Sequence, residues 1–201
     1  IRGAGNILGK EQSGHISSIG FELYNSLLES AINSLKKGEE SNLNFFLMNT
    51  VDINISSRIP EEYIDDIKVR LNIYMRLSKT RDLNDLKNLV TEIIDRFGSI
   101  PEELNRLFLI TKIKILCHKY KHIVSIKGDK NRITIKFDNS LLGIKVFLEN
   151  NLDEDFEIKS KTMIFYPENP NKILEELDFF IKKLIILQKE ILEKFNQATL
   201  L

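Results

Sequence analysis

The spacing of apolar residues changes along this chain from a helical repeat to a strand repeat, and this change restricts the fold most. Residues 65–79, 82–98 and 99–120 place apolar side chains three or four positions apart, as amphipathic helices do. Residues 122–138 instead alternate apolar and polar side chains around Gly128 and Asp129, the pattern of a β-hairpin. The sequence therefore predicts an α+β protein in which helices pack on a small antiparallel sheet.

Shorter patterns predict four more elements, namely a strand over residues 51–55, a short helix over 140–151, a strand over 162–167 and a long helix over 170–195. The first of the three serial helices carries a predicted core stripe of Ile67, Leu71, Tyr74 and Leu77. The paired acids that precede it, at residues 61–62 and 65–66, favour helix capping over catalysis, because negative charge is stabilising at a helix N-terminus. We therefore predict no catalytic residue in this region.

Composition excludes several classes of protein. The 201 residues contain 29 Lys and Arg against 29 Asp and Glu, so the net charge is zero, unlike that of a typical isolated nucleic-acid-binding domain. Cys117 is the single cysteine, which excludes an intramolecular disulfide and a zinc site built on cysteines. The histidines, at positions 15, 118 and 122, lack the arrangement of a metal site. No apolar run is long enough to span a bilayer, so we predict a cytoplasmic protein without a metal or a membrane partner.

Four of the nine glycines fall between Arg2 and Gly14, in the segment RGAGNILGKEQSG. Such a glycine-rich loop allows the backbone to approach phosphates or another loop closely. It lacks the pattern of a phosphate-binding P-loop, and no visible strand precedes it as a dinucleotide site requires. An amphipathic helix then ends near Gly38, and a polar linker predicts a domain boundary within residues 38–46.

Two stretches resemble the bacterial transcription-repair coupling factor (Mfd) family. The segment IRGAGNILGKEQSGHISSIGFELYNSLLESAI resembles the region after the last helicase motif, whose glycine-rich part is shared with RecG-type translocases. Residues 59–108, from IPEEYIDD to EELNRLF, resemble the C-terminal domain of the same family. The resemblance implies that residues 1–46 are the tail of the second RecA-like translocase lobe and that 47–201 form a regulatory C-terminal domain.

The resemblance also implies the activity of a larger parent protein, of which this chain would be a C-terminal piece. That family uses ATP and Mg²⁺ to translocate on double-stranded DNA, displaces stalled RNA polymerase and recruits nucleotide-excision repair through UvrA. Arg2 and Gln12 match the translocation motif, in which they would couple nucleotide state to the grip on DNA. The chain by itself is expected to bind no cofactor and to hydrolyse no ATP.

Three charged residues of the second helix, Glu92, Asp95 and Arg96, lie opposite its apolar stripe. The spacing alone favours a solvated face with local ion pairs. The resemblance implies instead that these residues dock on the family's UvrB-like N-terminal domain and hide the surface that binds UvrA. On that reading the domain is an autoinhibitory clasp.

Two other readings remain at this stage. The chain could be a self-contained nucleic-acid-binding module that uses the glycine-rich loop and the hairpin lysines Lys127, Lys130 and Lys136. The zero net charge and the absence of tryptophan count against this alternative. A RecG-type enzyme shares the loop but lacks the long C-terminal domain, so we rank it last.

Overall fold

The computed structural model describes the backbone of residues 50–120 and 122–198, and the side chains of residues 51–119 and 122–191. Arg2, Gln12 and the amphipathic segment that follows them lie outside these ranges. The assignment of residues 1–46 to a translocase lobe, and the boundary after them, therefore stay predictions.

Five helices and five strands make up the described chain, and they confirm the α+β class. The helices are α1 (Ile67–Lys79), α2 (Leu83–Phe97), α3 (Glu102–Tyr120), α4 (Lys145–Asn151) and α5 (Ile173–Ala198). The strands are β1 (Thr50–Ile53), β2 (Ile123–Asp129), β3 (Arg132–Phe137), β4 (Asp155–Lys159) and β5 (Thr162–Tyr166). A single 3-10 turn, Leu142–Ile144, leads into α4.

The strands form one mixed sheet in the order β1-β2-β3-β5-β4. The expectation of an antiparallel sheet is wrong at β1, which pairs with β2 in parallel. Three helices separate these two strands along the chain, and a crossover of that length is what a parallel pair requires. The remaining pairs are antiparallel, and they include the predicted β2–β3 hairpin. Strand β4 was not predicted, because only two apolar residues, Phe156 and Ile158, alternate with its charges.

Two hydrophobic clusters form the interior, and α3 contributes to both. The first lies between one face of the sheet and helices α3 and α5, where the rings of Phe165 and Phe180 stack with centroids 4.6 Å apart. The second lies between α1, α2 and the first half of α3, around the fully buried Leu77 and Leu104. Because α3 takes part in both clusters, the α1–α2 pair is anchored to the sheet through it.

Polar residues define the ends of the helices that carry the candidate site. Asp66 caps α1 by accepting a hydrogen bond from the Lys68 amide at 2.8 Å, which supports capping as the role of that acid pair. Asp82 caps α2, and Gly98 ends it in a left-handed conformation with φ of 85°.

Ile67 was wrongly placed in the core stripe. It is 58% exposed, because it is the first residue of α1 and lies ahead of the turns that pack.

A substitution at Gly128 tests the tight pairing of β2 with β3. A Cβ atom there would overlap the carbonyl oxygen of Arg132 and lie 2.9 Å from the Cα of Ile133, so Gly128→Ala must displace backbone. We expect a loss of about 2–3 kcal/mol in the free energy of unfolding, measured by urea denaturation. Gly143→Ala is the matched control, since its Cβ would meet no atom within 4 Å. Equal stabilities of the two variants would contradict this view of the hairpin.

Candidate functional site

The candidate site is the solvent-facing side of α2. Leu86, Leu89 and Ile93 bury the opposite side of this helix in the second cluster, as its apolar stripe predicted. Asp95 and Arg96 are exposed and Glu92 is half-buried. The structure therefore brings the three predicted residues together on one surface, but it does not test their role in docking.

Glu92 is held by Arg76, which projects from the neighbouring helix α1. The two guanidinium nitrogens Nη1 and Nη2 of Arg76 donate to Oε1 and Oε2 of Glu92 at 2.7 and 2.5 Å. This paired geometry is the strong form of an ion pair between arginine and a carboxylate. The guanidinium lowers the pKa of Glu92 to about 2, and the hydrogen bond to Glu92 raises the pKa of Arg76. Because both side chains are about 40% exposed, water screens the pair, and we assign it at most about 1 kcal/mol.

Sequence reasoning missed Arg76. It lies 16 positions from Glu92 on another helix, so no spacing rule within one helix connects the two residues. Only the packing of α1 against α2 brings them together. A basic residue in the last turn of α1 is also favoured by the helix dipole alone, so its presence carried no functional signal.

Arg96 is restrained on two sides. Its Nη1 atom donates to Glu92 Oε1 at 3.4 Å, and its guanidinium lies 5.0 Å from the centroid of the Phe97 ring. The Phe97 ring packs beside Tyr63, whose hydroxyl donates to the carbonyl oxygen of Gly98 at 2.9 Å. These contacts favour a direction for Arg96 along the surface towards Glu92 and Phe97, although its side chain is 54% exposed.

Asp95 differs from its two neighbours. It is exposed, and its side chain makes no hydrogen bond or ion pair with any residue whose position the structure gives. Its carboxylate is therefore free to accept bonds from a partner, and forming those bonds disrupts no contact within the described chain.

A groove with a volume of about 350 Å³ runs between the end of α1 and α2, beside Glu92. Its lining comprises Arg76, Lys79, Thr80, Asp85, Asn88, Leu89 and Glu92. The pKa of Asp85 is raised mainly by the charge of Asp82, whereas backbone hydrogen bonds, first that from Asp85, lower the pKa of Asp82. The groove thus presents two cations and two anions above the apolar side chain of Leu89.

The hairpin lysines do not share one surface. Lys127 directly follows the core residue Ile126, and Lys136 directly follows the core residue Ile135. Because neighbouring side chains alternate between the two faces of a sheet, both lysines lie on the face opposite the first cluster. On that face Asp52 is the register partner of Lys127. Lys130 lies at the turn and lines a separate groove near the starts of α3 and α5. Their part in binding nucleic acid stays untested.

The described residues hold neither a metal-binding cluster nor a membrane-spanning helix. Within residues 51–119 and 122–191, no group of three or more His, Cys, Asp or Glu side chains is placed to hold a metal ion. Among the helices described above, none is long and apolar enough to cross a membrane.

Comparison with known proteins places this fold among the TRCF domains, whose family model matches residues 53–142. The chain is similar to the transcription-repair-coupling factors of Haemophilus influenzae (41% identical over 118 residues), Buchnera aphidicola (40% over 141) and Escherichia coli (36% over 139). These alignments cover 58%, 69% and 68% of the chain, but only 10%, 17% and 12% of the relatives.

A solved structure has the same fold. The crystal structure of the C-terminal domain of a transcription-repair coupling factor aligns with 72% of this chain and 97% of that domain, with a TM-score of 0.56 and 23% identity. The chain belongs to the transcription-repair coupling factor family and corresponds to its C-terminal region. The family match includes both α1 and α2, and therefore the whole candidate site.

Replacing Glu92 tests the pairing with Arg76. Glu92→Gln is expected to lower the free energy of unfolding by about 0.5–1 kcal/mol at pH 7, because the paired carboxylate stabilises the folded state. The pKa of Glu92 is depressed to about 2 in the folded state, so this stabilisation is present at neutral pH and is lost as the pH falls. The difference from the unsubstituted chain should shrink below about pH 4 and approach zero near pH 2 in urea denaturation.

Asp95→Asn is the matched control on the same helix. It removes an exposed carboxylate that has no partner in the described chain, so it should change the free energy of unfolding by less than about 0.5 kcal/mol. An equal effect of the two substitutions, or a difference at pH 7 that persists at pH 2, would argue against a stabilising Arg76–Glu92 pair.

Proposed function

We propose that this chain is the regulatory C-terminal part of an ATP-dependent translocase on double-stranded DNA, which displaces stalled RNA polymerase and recruits nucleotide-excision repair through UvrA. Support comes from the family match over residues 53–142 and from relatives 36–41% identical that are transcription-repair-coupling factors. In this proposal ATP and Mg²⁺ bind to the motor domains of the parent protein. Arg2 and Gln12 belong to the translocation motif that couples those domains to DNA.

The regulatory role is assigned to the exposed side of α2. Glu92, Asp95 and Arg96 contact the UvrB-like N-terminal domain of the same protein and cover the surface that binds UvrA. The observation that carries this assignment is Asp95, an exposed carboxylate without a partner in the described chain, flanked by Glu92, which Arg76 holds, and by Arg96, which lies over the Phe97 ring. A free acid beside an arginine suits a specific and reversible contact with a surface of complementary charge.

The strength of such a contact matches what regulation requires. Coupling between two sites is typically worth about 1–3 kcal/mol, and exposed ion pairs contribute about 0.2–1 kcal/mol each. Two or three pairs formed by this surface are therefore sufficient. Because the pairs are exposed, salt should weaken the clasp, so the masking of UvrA should decrease as ionic strength rises.

Removing the acids should release the clasp in the intact coupling factor. With Asp95→Asn and Glu92→Gln together, we expect UvrA to bind about five-fold or more tightly, as loss of about 1 kcal/mol of masking implies. Affinity can be measured by titrating labelled UvrA with the full-length protein. Glu149→Gln removes an acid of α4 whose side chain is 48% exposed, against 38% for Glu92, and should leave the affinity unchanged. An unchanged affinity of the double variant would refute the clasp.

The assignment of the motor to other domains has its own test. The 201-residue chain alone should release no phosphate from ATP above background, because its sequence contains no P-loop pattern. Phosphate release can be measured with and without double-stranded DNA. Turnover by the purified chain, at a rate that survives further purification, would place an ATPase site within it and overturn this assignment.

A further inference from the structure

The Arg76–Glu92 pair has a consequence for any partner that approaches α2. Arg76 occupies both carboxylate oxygens of Glu92, and Arg96 adds a third, weaker bond to Oε1. The two arginines and one glutamate together carry one net positive charge. A basic side chain arriving at Glu92 therefore meets a carboxylate that is already neutralised, not a free acid.

We propose that Arg76 competes with the docking partner for Glu92 and thereby limits the strength of the interdomain contact. The partner group is a basic side chain that enters the groove between α1 and α2 and takes over the carboxylate. This inference rests on the proposed contact of α2 with the N-terminal domain, and it adds a residue and a groove that the three-residue motif does not include.

The groove has the size and chemistry to receive an arginine or a lysine. Its volume of about 350 Å³ opens beside Glu92, with the carboxylate of Asp85 on the same wall. Leu89 is 3% exposed and closes the floor of the groove, so an incoming side chain meets the polar and charged residues of its walls, and its charge remains solvated. Asp85 makes no salt bridge within the described chain, so it can share the incoming charge.

When a basic side chain of the partner replaces Arg76 at Glu92, releasing Arg76 costs little free energy. The Arg76 side chain is 41% exposed, so water can solvate the guanidinium as soon as it leaves the carboxylate. One paired carboxylate is present before and after the exchange, and the free-energy difference between the two states stays small. The resulting contact can form and break readily, as a reversible clasp requires.

The opposite role for Arg76 makes the opposite prediction. If Arg76 instead holds Glu92 in the orientation that the partner needs, its removal must weaken docking, because an unrestrained glutamate loses side-chain entropy on binding. Replacing Arg76 therefore raises the affinity for the partner if Arg76 is a competitor, and lowers that affinity if Arg76 is a positioning residue. The direction of this change is the readout we choose.

The experiment titrates the purified 201-residue chain with the separately purified UvrB-like N-terminal domain of the same coupling factor, by isothermal calorimetry. Arg76→Gln should tighten binding by about two- to five-fold, because the partner no longer displaces an arginine. Arg76→Lys keeps the charge but loses the forked geometry, so it should tighten binding less. Urea denaturation of each variant confirms that it is folded.

Lys79→Gln is the matched control, because it removes one positive charge from the same groove and leaves the Arg76–Glu92 pair intact. Any increase in affinity that Lys79→Gln produces measures the effect of removing one positive charge that repels the basic partner. The increase caused by Arg76→Gln should be at least about two-fold larger. In a Glu92→Gln background the two substitutions should have equal effects, since there is no carboxylate left to compete for.

The outcomes separate this inference from the proposed function. The clasp stands if Asp95→Asn weakens binding. The competition is then overturned if Arg76→Gln also weakens binding, or if it changes binding no more than Lys79→Gln does. Absence of binding by the unsubstituted chain, or binding that Asp95→Asn leaves unchanged, overturns the clasp itself and the competition with it.

Discussion

Burial of α3 on two sides is the constraint on which the rest of this structure depends. Ile113 and Cys117 of this helix pack into the sheet cluster, while Leu104 and Leu107 pack into the cluster of α1 and α2. A polar link reinforces the sheet side, where Lys112 of α3 and Lys182 of α5 both donate to Asp178 Oδ2, at 2.9 and 2.7 Å. Without α3 the α1–α2 pair would lose most of its apolar contact with the rest of the described domain, since of its residues only Leu83 also packs against the sheet cluster.

The candidate surface follows from this arrangement. Packing of α1 and α2 against α3 buries Leu77 and Ile93, and this leaves the opposite side of α2 exposed. The same packing brings Arg76 to Glu92, so one carboxylate both stabilises the helix pair and belongs to the surface that we propose as a docking site. A surface built in this way is fixed by the core beneath it, and the geometry of its charges does not depend on flexible loops.

The sequence predicted local features well, because their signals lie within a few residues. Helix capping by the acid pair at residues 65–66 and the hairpin at Gly128 each depend on a side chain or a turn chemistry that acts on its own neighbourhood. The apolar stripe of α2 was confirmed for the same reason. The fold class followed from these elements, and the family assignment followed from motifs.

The failures in the sheet and at the candidate site involve relations between distant residues or a weak pattern at a sheet edge. The parallel pairing of β1 with β2 joins Val51 to Ile126 across three helices, and no periodicity carries that information. Strand β4 has too few apolar residues to stand out, since the edge of a sheet tolerates charge. Arg76 was overlooked because a pair of helices, and not a helix repeat, defines its partner. The proposed docking role of Glu92, Asp95 and Arg96 depends on the surface of the partner domain as well as on this chain.

The interior position of Cys117 gives this chain a chemical reporter of its own motions. The thiol is fully buried in the sheet cluster, and burial raises its pKa to about 12, so almost no reactive thiolate exists at neutral pH. An alkylating reagent can reach the sulfur only when the cluster of α3, α5 and the sheet opens. The rate of thiol labelling therefore measures how often this cluster opens, in the unaltered sequence and without an added probe.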